Sequence, residues 1–183
     1  MIVVGIDPGV ANTGFGVVRG SGAKTVALDG GVIETPPGDE LSVRLERIHA
    51  AVTQLLDWHE PAAVSVEDLY FGKNAGSAMA VGQARGVVLL AAAQKQIPCF
   101  DYTPQLVKAA VCGSGSADKE QVQAMVGRLL GLEEPPQPDH AADAFAVALC
   151  HLGHVSGGAS GGSAQLGQSS PVSARGTSSS AAG

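Results

Sequence analysis

Apolar residues along this chain fall into two spacings. Ile2, Val3, Val4 and Ile6 form a run too short for a helix and rich in β-branched side chains, which reads as a strand buried on both faces. Pro8-Gly9 turns it. Gly14-Phe15-Gly16-Val17-Val18 reads as a second strand folded back on the first, and residues 24–34 as a third, bulged at Gly30-Gly31. Three strands with short links predict an antiparallel meander. Leu41, Leu45, Ile48, Val52 and Leu55 then recur at helical spacing, so an amphipathic helix packs on the sheet until Pro61 ends it. Val64-Ser65-Val66 gives a strand that, following a helix, runs parallel to the first.

Residues 77–96 read as a long Ala- and Gly-rich helix, whose small side chains allow close helix–helix approach in the core or in a dimer. Residues 97–100 read as a fifth strand. Thr103 caps a short helix opened by Pro104. Asp118 and Gln121 mark a capping-box start, followed by the stripe Val122, Met125, Val126, Leu129 and Leu130. A last helix runs from near Asp139 through Leu152. Residues 155–183 are dominated by Gly and Ser and carry no apolar stripe, so they are expected to be a disordered tail beyond a single folded unit, 1–154.

Composition adds little until charge is mapped. The net charge of −6 argues weakly against a polyanion partner. Yet residues 72–128 carry six basic side chains (Lys73, Arg85, Lys95, Lys108, Lys119, Arg128) against three acidic ones (Asp101, Asp118, Glu120). The three cysteines form no CxxC pair, which suits free thiols in a reducing cytoplasm. No apolar stretch is long enough to span a membrane, and the N-terminus has no signal-peptide pattern, so a cytoplasmic location is expected.

The acidic residues carry the candidate chemistry. Asp7 stands at the end of the first strand and Glu67 at the end of its parallel neighbour. Two carboxylates at one sheet edge repel unless a cation lies between them. Asp143 can approach from the last helix, with His140 three residues before it on the same face. Oxygen ligands suit Mg²⁺, and an imidazole also accepts Mn²⁺. Two such ions about 4 Å apart activate a water and stabilise the leaving oxygen of a phosphodiester. Asp139 also lies roughly toward that side. Its place before an Ala-rich run suits an N-cap bound to backbone N–H groups, which leaves His140 as the site residue. The opening strand-Asp-x-Gly turn also fits an actin/Hsp70-like nucleotide-binding module. Such proteins enclose a nucleotide between two domains, more than some 150 ordered residues supply.

The stretches GIDPGVANTGFGVV (5–18), VEDLYFGKNAGSAMAVGQARGV (66–87), TPQLVKAAVCGSGSADKEQV (103–122) and PDHAADAFAVALCH (138–151) resemble, in order, the RuvC family of bacterial Holliday-junction resolvases, within the RNase H-like superfamily. The resemblance implies an α/β, RNase H-like fold: a five-stranded mixed sheet, first three strands antiparallel, flanked by helices. It implies a homodimeric endodeoxyribonuclease that nicks two strands of a four-way junction symmetrically in recombination and repair, with two Mg²⁺ per subunit. The branch-migration proteins RuvA and RuvB are implied partners. Asp7, Glu67 and Asp143 match the family's catalytic carboxylates, an intact acid set that opposes a third reading, a catalytically dead junction-binding protein. His140 stands where many members have Asp and some have His. Tyr70 matches an aromatic that wedges into the junction. Lys108 and Lys119 match lysines near the scissile backbone. Lys73, Asn74, Gln83 and Arg85 lie in the segment that resembles the DNA-facing and dimer-forming part.

Overall fold

The structure is a computed structural model that describes residues 1–21, 24–68 and 75–157. Five strands, β1 (Ile2–Asp7), β2 (Asn12–Ser21), β3 (Lys24–Glu34), β4 (Ala63–Glu67) and β5 (Cys99–Tyr102), form one sheet in the order β3-β2-β1-β4-β5. β1–β2 and β2–β3 pair antiparallel, and β1–β4 and β4–β5 pair parallel. The expected mixed sheet is thus present. Helices α1 (Leu41–His59) and α2 (Ala75–Gln94) cover one face. Helices α3 (Pro104–Cys112), α4 (Lys119–Leu130) and α5 (Asp139–Gly157) cover the other.

The strand period of two decides what each face receives. Val4 and Ile6 of β1, Val17 of β2, and Val64 and Val66 of β4 pack with Ile48, Val52, Leu55 and Leu56 of α1 and Ala84, Val88, Ala91 and Ala92 of α2. Val3 and Val18 point the other way, into a core with Val107, Val111, Val122, Val126, Leu130 and the Ala-rich α5. Asp7 and Glu67 share the parity of Val3 and Ala63, so both emerge on the α5 face.

Close approach distinguishes that face. A Cβ on Gly5 would lie 2.0 Å from the Ala144 carbonyl oxygen, and one on Gly14 2.0 Å from that of His140. Glycine on the strands and alanine on α5 let the helix backbone lie directly on β1 and β2.

The expected caps of α3 and α4 are present: the Thr103 hydroxyl accepts from Leu106 N–H, and Asp118 with Gln121 completes a capping box. Three expectations shift. The bulge lies at Leu28, where the register slips between Val17 and Val18, and not at Gly30-Gly31. Gly30 is instead reserved for the Phe145 ring, since a Cβ there would come 2.4 Å from it. The fifth strand begins at Cys99, because Ile97 N–H is still bonded to Ala92 O at the end of α2. The last helix continues past Leu152 to Gly157. Residues 155–157 of the expected tail, 155–183, therefore belong to this helix, and residues 158–183 lie outside the described residues.

Candidate functional site

Asp7 ends β1 in register with Gly14 of β2. Because Gly14 lets the α5 backbone touch β2 at His140, the first turn of α5 arrives beside Asp7. The result is a contact of 2.7 Å between His140 Nδ1 and Asp7 Oδ2, across 133 residues of sequence. Asp143, one turn further, completes a group whose ligand atoms all lie within 4.8 Å of one another. The turn after Asp7 is braced from behind. The Thr13 hydroxyl donates to Gly9 O at 2.6 Å, Thr35 bonds Val10 through its hydroxyl and Ala11 through its N–H, and Arg44 Nε donates to Thr35 Oγ1 at 2.8 Å.

Glu67 extends β4 one residue past the Ile6↔Val66 pair, which places it next to Asp7. Its carboxyl is pushed up to about 7, first by burial and then by the charges of Asp7 and Asp143; a hydrogen bond with Asp7 acts in the same direction. Asp143 is also raised, again chiefly by burial, against the opposing pull of Lys119. Three carboxylates crowded in a half-buried space are held together at a cost that a hard cation would remove. The donor set of carboxylate oxygens with one imidazole fits a divalent cation such as Mg²⁺ or Mn²⁺.

Glu67 and Asp143 line a cavity of about 220 Å³ with Pro104, Val107, Lys108, Lys119, Val122 and Ala146. Lys108 and Lys119 therefore stand at the mouth of the carboxylate cluster. Lys119 Nζ lies 3.0 Å from Asp139 Oδ2 and 3.6 Å from Asp143 Oδ2. A second groove, of about 430 Å³, is lined by Gln83 together with His140, Arg44, Asn12 and the Gly9 turn. Arg85 is not drawn into the cluster. It pairs with Asp101 at 2.6 Å and ties α2 to β5. Tyr70, Lys73 and Asn74 lie outside the described residues.

Asp139 does not cap α5 as the sequence suggests. The Pro138 carbonyl already accepts from Ala141 and Ala142, so Asp139 is the first helical residue. Its exposed carboxylate reaches across to α4, where Lys119 and Gln123 hold it and lower its pKa. Sequence reasoning also missed the Thr13–Thr35–Arg44 brace. Hydroxyl residues beside a Gly-rich turn were the available signal.

Comparison with known proteins points one way. Residues 3–151 match the family model for the crossover junction endodeoxyribonuclease RuvC. The chain is 52% identical over 151 residues to RuvC of Moorella thermoacetica, covering 82% of this chain and 90% of that one. It is 49% identical to RuvC of Natranaerobius thermophilus, over 82% and 94% of the two chains. Among solved structures, Thermus thermophilus RuvC bound to a Holliday junction substrate superposes with a TM-score of 0.83 at 43% identity, over 86% of this chain and 96% of that one. The yeast mitochondrial Holliday junction resolvase shares the fold at 14% identity and a TM-score of 0.58, over 82% and 78%.

Proposed function

Because this chain belongs to the RuvC family of crossover junction endodeoxyribonucleases, we propose that Asp7, Glu67, His140 and Asp143 form its hydrolytic centre. The protein is an endodeoxyribonuclease that resolves Holliday junctions. The observation that supports this placement of the chemistry is the convergence of two strand ends and the first turn of α5 on one carboxylate cluster.

Asp7 and Glu67, fixed by adjacent strands, and Asp143 with His140, fixed by α5, would hold two Mg²⁺ ions, with Mn²⁺ as substitute. When bound, such cations lower the pKa of a water and stabilise the leaving oxygen of the phosphodiester. His140 is oriented by its contact with Asp7, so its ring is set before any ligand arrives. Lys108 and Lys119, at the cavity mouth, offer charge to the phosphate backbone. Such contacts position DNA without reading its sequence. Gln83 lines the second groove, beside His140, along which the strand can continue. Tyr70 is assigned the junction wedge, with Lys73, Asn74 and Arg85 in the DNA-facing segment. The working unit is a homodimer acting in the cytoplasm with the RuvA and RuvB branch-migration proteins. No helix among the described residues is long and apolar enough to cross a membrane.

The test is cleavage of a synthetic four-way junction by the full chain in Mg²⁺. Paired, symmetric nicks that vanish with chelator are expected. Intact junctions together with stoichiometric ATP binding would reassign the protein to a nucleotide-binding module.

A further inference from the structure

We propose that Asp139 is a positioning residue that holds the Lys119 ammonium at the rim of the carboxylate cluster and keeps it from taking the place of a divalent cation on Asp143. The inference rests on the reading of Asp7, Glu67, His140 and Asp143 as a cation site.

Lys119 opens α4 and faces two carboxylates four residues apart on α5, which therefore share one side of that helix. Its Nζ lies closer to Asp139, at 3.0 Å, than to Asp143, at 3.6 Å. Asp139 is itself fixed. Gln123, one turn along α4 from Lys119, donates through Nε2 to Asp139 Oδ1 at 2.8 Å. Both oxygens of Asp139 are thus engaged by α4, one by Lys119 and the other by Gln123. Asp143 is half-buried inside the cavity, and Asp139 is exposed outside it.

An ammonium and a divalent cation compete for the same Asp143 oxygens. Lys119 must give up Asp143 whenever a cation takes it. With Asp139 in place, the ammonium keeps its shorter contact through that exchange and remains at the cavity mouth. Without Asp139, Asp143 is the remaining carboxylate on that face of α5, and Lys119 moves onto it. Loss of Asp139 then weakens cation binding through Lys119, although Asp139 touches no cation.

The test uses the full chain without DNA, titrated with Mn²⁺ alone, with free Mn²⁺ read by electron paramagnetic resonance. Asp139→Asn, whose side chain is exposed and whose amide retains a partner in Gln123, is expected to weaken Mn²⁺ binding about threefold, the scale of an exposed ion pair. Lys119→Met is expected to tighten it. In the Lys119→Met background, Asp139→Asn should change affinity by less than about twofold, the residue of screened long-range charge. Equal losses in both backgrounds, or none in the wild type, would overturn the inference while leaving the cation site intact. A wild-type chain that takes up no Mn²⁺ overturns the cation-site reading and this inference with it.

Discussion

The two faces of the sheet are built on opposite terms. Toward α1 and α2, β1 presents Val4 and Ile6, and the helices answer with Ile48, Val52, Leu55, Leu56 and Val88. Side chains there fill the space between backbones. Toward α5, the same strand presents Val3, Gly5 and Asp7, and Gly5 leaves no space to fill. Interdigitated aliphatic side chains can repack around a lost methyl. Main chain resting on main chain cannot. The face that carries Asp7, Glu67, His140 and Asp143 is the one where the backbone itself sets the distance.

The sharpest contrast comes from the acids. Asp7→Asn, Glu67→Gln and Asp143→Asn each remove the charge of a proposed ligand and leave the sheet in place. Junction cleavage should fall at least about a thousandfold, roughly 4 kcal/mol in barrier. Junction binding, assigned above to other side chains, should persist in a gel-shift assay. A Glu67→Gln protein with near-wild-type turnover would remove Glu67 from the centre.

The backbone contact can be broken directly. Gly5→Ala and Gly14→Ala each place a methyl about 2 Å from a main-chain carbonyl of α5. The helix must move, at an expected cost of about 2–3 kcal/mol in stability, and cleavage should drop as His140 and Asp143 leave Asp7. Ile48→Val on the other face should cost about 1 kcal/mol and leave cleavage unchanged. Denaturant unfolding and junction turnover on the same samples separate the two outcomes. Equal turnover for Gly14→Ala and Ile48→Val would show that α5 tolerates displacement.

His140 probes the same helix with a smaller step. His140→Ala should lower cleavage at least about tenfold, near 1.4 kcal/mol. His140→Asp should retain activity, because it supplies an oxygen ligand at the same turn. Loss in both variants, with Asp139→Asn also inactive, would move the fourth ligand to Asp139.

This contrast between faces also explains what the sequence made legible. The strands, the parallel return after α1, the caps at Thr103 and Asp118, and the pairing of Asp7 with Glu67 follow from local periodicity and from parity along a strand. β1 is buried on both faces, so its hydrophobicity does not alternate and the parity signal is carried by size: Val3-Gly5 against Val4-Ile6. The same signal, read across Gly14 and Gly16 of β2, marks the track on which α5 lies. The partner of Asp139 was not legible. It depends on the height of α4 beside α5, which tertiary packing sets, and capping propensity alone pointed to the backbone. The Arg85–Asp101 pair was hidden for the same reason: charge along the sequence does not say which carboxylate lies across the interface.

The smallest expected effect lies in the pH dependence of stability, and its sign is opposite to that of an ordinary paired acid. Glu67 is near 4.5 in a free chain and about 7 in the fold, so the folded state takes up a proton first as pH falls. Above pH 7 the ionised side chain carries its full burial and repulsion; between 7 and 4.5 the penalty is progressively removed. In chelator, Glu67→Gln should therefore melt a few degrees above wild type at pH 8, and the gap should close as pH falls toward 5. His151, buried with its pKa lowered, weakens the fold at acid pH in both proteins and cancels from the difference. Adding Mg²⁺ should invert the order at pH 8, since only the wild type retains the carboxylate proposed to hold a cation and so to stabilise the folded state. A melting gap independent of pH, or one that Mg²⁺ leaves untouched, would mean that Glu67 is not held against its neighbours' charge.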